Sequence, residues 1–401
     1  MSISSLFKLV TPAPLTEKMQ SRDACIYMYR AMDLMGWIPP KDGLARYIYL
    51  IWTCVPFLCA TFSLNLCFLL SYIMDYHNYS TGQFITSLPV SINAVGSSVK
   101  ATILFIYLWR LRETELLFDK LDHQRTSDHD REKIHQLVAT CNKIMLVFIS
   151  VYGTYVSGTF IAYALSGRPP WSIYNPFFNW RDSILTLWIQ STVEYILMSF
   201  AGMHNLLSDT YGVVFLLIFR KHAELLKDHV NRLRTDTTKT EQQNYEDLIS
   251  CISEHRLIVG CCSWMRPIIS ATILVQFLLI GVILGLTLIN IFFFSNFWRG
   301  LSSFTYLIAV LMETFPFCYI CNLLIEDSDD LSRAIFESNW IDADQEYKSA
   351  LIYFMLNAQK PIIFLAGGVL PITVRTNLQV AKFAFSIITV VRQTNLVEKF
   401  Q

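Results

Sequence analysis

The sequence predicts an all-α membrane protein that crosses the bilayer seven times, and three observations carry that expectation. Seven apolar stretches, at residues 47–74, 84–108, 143–165, 183–219, 264–291, 301–325 and 371–391, each have the length a helix needs; about 20 residues cross roughly 30 Å of hydrocarbon. The hydrophobic fraction of 53% and aromatic fraction of 14% lie outside the range of ordinary soluble domains. Lys and Arg fall almost wholly in alternate connecting segments, and such loops stay in the cytoplasm. The basic side holds Lys8, Lys18, Arg22, Arg30, Lys41 and Arg46, the sets Arg110 to Lys143 and Arg220 to Arg266, and Arg333, Lys348 and Lys360. The other side holds only Arg168, Arg181 and Arg299, with Arg392 and Lys399 at the tail. The expected N-terminus is therefore cytoplasmic and the C-terminus extracellular.

Residues 1–46 read as a polar cytoplasmic segment with a short helix or two and no apolar core of a cleavable signal. Trp37 and Pro39–Pro40 form an apolar turn suited to the membrane surface. Spans one to four occupy 47–219, and Lys100 in the second is expected to snorkel toward the cytoplasm. The first external loop carries the one permitted glycosylation sequon, Asn78-Tyr79-Ser80. Loop 166–182 is rich in Pro and aromatics, which fits a lid over a cavity and equally fits interfacial anchoring. The fourth stretch is too long for one crossing, so its helix is expected to run on into the cytoplasm. Residues 220–263 continue it as a helical cytoplasmic layer, spans five and six follow at 264–325, and 326–370 returns to that layer. There 349–366 reads as a short apolar helix ended by Gly367, Gly368 and Pro371. Residues 371–401 then hold the crossing part of a split last helix and a short external tail.

Composition excludes several functions. A formal net charge of zero gives nucleic acid nothing to bind. No HExxH, P-loop or GxSxG is present, so no enzyme is expected. The ten cysteines avoid the external loops, so no external disulfide is expected. Cys318 and Cys321 have metal-site spacing but no second ligand pair; no metal and no cofactor follow. Glu326 to Asp330 lacks a calcium-loop pattern.

Candidate ligand-binding residues lie in the outer halves of the spans. Tyr152, Tyr155 and Thr159 share one helix face in span three; Tyr195 and Met198 do so in span four, Phe304 and Leu307 in span six, and Ser91, Ile92 and Val95 in span two. Such a set fits an apolar cavity with few hydrogen-bonding groups, suited to a small, largely apolar ligand, and ordinary helix packing is the other reading of each residue alone. Glu194 and Glu313 lie midway through spans four and six, where a carboxylate faces either a polar partner or an aqueous path. The last helix carries Arg375, Lys382, Ser386, Thr389, Arg392, Gln393 and Thr394. That polarity suits a water-lining helix, with Ile387, Val390 and Val391 as a dewetting constriction.

The stretches 360–374 (KPIIFLAGGVLPITV) and 380–393 (VAKFAFSIITVVRQ) resemble the C-terminal signature of insect odorant receptors. Gly167–Trp171 in the second external loop and Thr314–Tyr319 in span six look fly-like as well. The wider superfamily carries Thr-Tyr, five apolar residues, then Gln-Phe in the last helix. Here Ser386-Ile387 and Gln393-Thr394 take those places, which favours an odorant over a gustatory receptor. The family's Ser-Tyr-Ser appears as Ala384, Phe385 and Ser386.

The resemblance implies an odorant-gated, non-selective cation channel that assembles with the odorant receptor co-receptor as a heterotetramer in the plasma membrane of olfactory neuron dendrites. It implies that the last helix lines the pore, with Ser386, Val390, Gln393 and Thr394 at the pore and outer gate. The odorant pocket would then lie among spans two, three, four and six. A G-protein-coupled receptor would need the opposite orientation, and a transporter would favour broken helices in both halves.

Overall fold

The computed structural model describes residues 8–40, 42–74, 81–123, 127–294 and 297–393. These form α1 (Ile26–Leu34), α2 (Leu44–Met74), α3 (Thr81–Ile106), α4 (Leu108–Asp122) and α5 (Asp128–Ala164). There follow α6 (Ile184–Asn231), α7 (Glu241–Ile289), α8 (Phe297–Glu337), α9 (Gln345–Ala358) and α10 (Val374–Gln393). A two-residue-per-strand hairpin, β1 (Leu365–Ala366) and β2 (Leu370–Pro371), joins the last two.

The long helices begin at side-chain caps. Ser127 accepts from the Asp130 amide, and capping boxes pair Ser183 with Thr186 and Thr240 with Gln243. The 48-residue α6 and 49-residue α7 run on without interruption through the segments read as membrane-spanning and basic. Helix α6 is the axis of the bundle, packed against α3, α5, α7 and α8, while α10 lies on α7 and α8.

Among the described residues, six helices are long and apolar enough to cross a membrane: α2, α3, α5, α6, α7 and α8. The seventh expected span corresponds to α10, which is not among the six and carries Arg375, Lys382, Asn377 and Gln379 among its 20 residues. The short helix expected at 349–366 is Gln345–Ala358 instead. Pro361 explains its early end, since it has no N–H and bars its predecessor from helical geometry. Gly367 and Gly368, both at positive φ, then turn the hairpin. It is pinned to α7 by the Gly367 and Gly368 amides on the Ser270 carbonyl and hydroxyl, at 3.0 and 3.2 Å.

Lys100 does not snorkel. It is 1% exposed, with Nζ 2.7 Å from Asp209 and 2.5 Å from the Gln276 carbonyl oxygen. Two acceptors inside the bundle hold the ammonium that lone-residue reasoning sent toward water. Trp37 is likewise buried, against Phe57 and His204. The ten cysteines are all free.

Candidate functional site

Two small chambers lie inside the helix bundle, with volumes of about 50 and 40 Å³. The first lies under the loop that joins α5 to α6, and its wall includes Thr86, Thr159, Trp171, Asn290, Ser302 and Ser303. The second lies deeper, among Asn93, Tyr152, Met198, Gly202, Asn205 and Glu313. Val90, Tyr155 and Tyr306 line both. The two tyrosine rings, with centroids 5.0 Å apart, form the partition between them. The Tyr306 hydroxyl donates to the Pro89 carbonyl at 3.1 Å, which fixes its ring.

The roof of the first chamber is built by one carboxylate. Glu194, fully buried in α6, accepts the Trp171 amide at 2.7 Å, the Ile173 amide at 2.9 Å and the Gln190 side chain at 2.8 Å. Gln190 also donates to the Ile173 carbonyl, and the Tyr174 amide donates to Ser71 of α2. Pro169, Pro170, Trp171 and Ser172 line the chamber beneath, so this loop is a lid. Glu194→Ala would leave two buried lid amides unpaired, at about 1–3 kcal/mol each. The expected result is a lid cut faster in limited proteolysis and a ligand potency at least about tenfold weaker; Glu194→Gln, which keeps an acceptor, should lose less.

The deep chamber rests on a polar network. Glu313 accepts from Asn93 at 2.8 Å, Asn205 at 2.7 Å and Gln276 at 2.5 Å. Gln276 passes the contact on to Lys100, Lys100 pairs with Asp209, and Tyr152 donates to Asp209 at 2.7 Å. Glu313 thus has polar partners from α3, α6 and α7. The network joins five helices and holds two carboxylates against one ammonium.

Four of the ten sequence-derived ligand residues belong to these chambers. Tyr152, Tyr155, Thr159 and Met198 line them. Ser91 instead bonds the Tyr72 hydroxyl of α2. Ile92 and Leu307 are half-buried outside the linings, and Tyr195 bonds Ser157 between α5 and α6. Val95 and Phe304 are 50% and 52% exposed. The reason is rotational register: one residue is about 100° of helix. The inward faces carry Val90, Asn93 and Ala94 on α3, and Ser302, Tyr306 and Ala309 on α8.

Sequence reasoning also missed α7 and the turn that follows it, which contribute Thr287 and Asn290. Asn290 opens a π-helical turn to Phe294 and bridges Thr86 and Ser303 at 2.9 and 2.8 Å. Its polarity within an apolar run was the available signal. On α10, Ser386 is exposed and bonds the Lys382 carbonyl, and Gln393 is exposed. Asn78 and Thr394 lie outside the described residues, as does the Val390 side chain.

The apolar long helices and the lidded chambers between them define a multi-pass membrane protein with an internal cavity. The chain belongs to the insect odorant receptor family: the 7tm odorant receptor family model matches residues 80–385. It is 56% identical to Odorant receptor 59b of Drosophila melanogaster over 397 residues, covering 99% of this chain and 100% of that one. It is 49% identical to Odorant receptor 42b of the same fly over 396 residues, covering 99% of each. The olfactory receptor OR5 of Machilis hrabei shares its fold, with a TM-score of 0.73 at 13% identity, covering 93% of this chain and 98% of that one. The structure of OR5 in complex with eugenol superposes with a TM-score of 0.70 at 13% identity, covering 93% and 99%.

Proposed function

We propose that this chain is the odorant-tuned subunit of a ligand-gated, non-selective cation channel, opened when a small neutral volatile occupies the chambers. The observation that carries the reading is the lidded, tyrosine-partitioned cavity in a chain related over its whole length to fly odorant receptors. That OR5 has been solved with eugenol supports a small organic ligand.

The Tyr155 hydroxyl accepts from the Trp171 indole at 3.2 Å, which leaves its own proton for a ligand acceptor. An ester or ketone oxygen suits that donor, while the alkyl parts pack on Val90 and Tyr306.

Helix α7 supplies the link to the pore. Gln276 touches the floor of the deep chamber through Glu313. Further along the same helix, Gly281 and Gly285 seat Phe383 and Ile387 of α10. In this reading α10 and residues 371–401 line the pore, with Ser386, Val390, Gln393 and Thr394 along it. Residues 220–263 and 326–370 form the cytoplasmic layer where the co-receptor joins in a heterotetramer. The basic bias supports a cytoplasmic N-terminus and an external C-terminus. The site of action is the dendritic plasma membrane of olfactory neurons.

The test is co-expression with the co-receptor and a panel of short esters and ketones. A cation current that needs both chains is the expected result, and an equal current from this chain alone would refute the assembly. In the same assay Tyr155→Phe should weaken potency about tenfold, the scale of one lost hydrogen bond in a dry site, with ion permeation unchanged.

A further inference from the structure

We propose that neutral volatiles reach the cavity from the bilayer, through a side entrance between α5 and α8. The proposal rests on the odorant-receptor reading and adds the route of entry.

An open groove of about 640 Å³ runs along the outside of these helices, lined by Thr154, Gly158, Ile161, Leu301, Ser302 and Thr305. Both helices are long and apolar enough to cross a membrane, and Ile161 and Leu301 are 54% and 50% exposed on this seam. Half-exposed aliphatic groups on such helices are where hydrocarbon chains pack. Ser302 lines the groove on one side and the lid-side chamber on the other. What closes the seam there is its hydroxyl, 2.7 Å from the hydroxyl of Thr159, itself a chamber residue.

The two possible doors differ in what holds them shut. Opening the lid breaks the Trp171 and Ile173 amide bonds to a carboxylate, the Gln190 bond to Ile173, the Tyr174 bond to Ser71 and the Trp171 bond to Tyr155. Five hydrogen bonds therefore hold this loop down. At Ser302 the seam is held by a bond between neutral hydroxyls and by side-chain packing. A volatile that partitions into hydrocarbon is already concentrated on the groove side. The entrance therefore favours uncharged, lipid-soluble ligands and excludes ions, whatever the cavity itself would accept.

Gly158 makes the idea testable, because a Cβ added there meets nothing within 4 Å. Gly158→Leu fills the groove from outside, on the far side of Ser302 from the chamber, and replaces a poor helix former by a good one. Ethyl butyrate is applied by rapid perfusion to cells carrying this chain and the co-receptor. The expected result is current onset and washout each slowed about fivefold or more with half-maximal concentration within about twofold, because a barrier on the path alters both rates alike. Ser302→Ala removes the latch and should speed both. Unchanged rates in Gly158→Leu would overturn the proposal.

A second measurement needs no current. The purified chain in phosphatidylcholine vesicles is photolysed with phenyl trifluoromethyl diazirine dissolved in the lipid. Labelling of Tyr155 and Tyr306 should be rapid in the native chain and delayed in Gly158→Leu. Equal labelling rates refute the entrance even if the channel reading has failed; delayed labelling supports it independently of that reading.

Discussion

Lys100→Met is expected to remove most of the receptor from the cell surface, at a cost of about 3–5 kcal/mol, the range for breaking a buried ion pair from one side. The side chains of Lys100 and Asp209 are 2% and 3% exposed, so water screens neither. Without the ammonium, Asp209 keeps only the Tyr152 hydroxyl, and Glu313 loses the cation that reaches it through Gln276. Two buried carboxylates would then face each other with no counter-charge. Replacing both partners, as in Lys100→Met with Asp209→Leu, should recover much of the loss, since apolar groups of similar size can replace a buried pair at little net cost. Surface biotinylation and the melting temperature of the purified chain provide the measurement. A single variant that melts with the native protein would show that the pair contributes little.

Gly281→Val is expected to reduce the maximal odorant current by a factor of about ten to a hundred while leaving ligand binding by the purified chain unchanged. A Cβ at Gly281 would stand 2.9 Å from Phe383 Cδ1 of α10, closer than packed carbon atoms approach. One turn on, Gly285 would bring its Cβ to 3.1 Å from Ile387 Cδ1. Overpacking costs about 1–3 kcal/mol, and 1.4 kcal/mol is a factor of ten in an equilibrium. Here the strain falls on the seating of α10, away from both chambers. Phe383→Ala should relieve it when combined with Gly281→Val. A parallel loss of binding would place Gly281 in the ligand site and break the proposed division of labour between cavity and α10.

The long helices were legible because hydrocarbon imposes length and apolarity on anything that crosses it, and α6 showed its continuation by being too long for one crossing. The motifs of 360–393 made the family legible, and full-length likeness to fly odorant receptors agrees with them. The end of α9 was hidden because apolar residues continue past Ala358 into a segment that Pro361 keeps extended. The cavity was legible on α5, where Tyr152, Tyr155 and Thr159 stand out from their neighbours. On α3 and α8 both faces carry small polar and apolar residues, so composition did not fix the inward direction. Lys100 misled for a different reason. Its partners lie 109 and 176 residues away in the chain, and only the folded bundle brings them within reach.

The tyrosine partition makes the cavity a gauge of ligand length as well as of polarity. A short molecule on the lid side of Tyr155 and Tyr306 must widen a chamber of about 50 Å³ but need not part the rings. A longer one places its tail in the deep chamber only by parting them, which moves Tyr306 against its bond to Pro89 and presses toward the Glu313 network. Each added methylene gains about 0.8 kcal/mol from burial, but the one that parts the rings must also offset the loss of their contact. Along a homologous series the dose–response relation should therefore bend at one chain length, and the ring pair decides which.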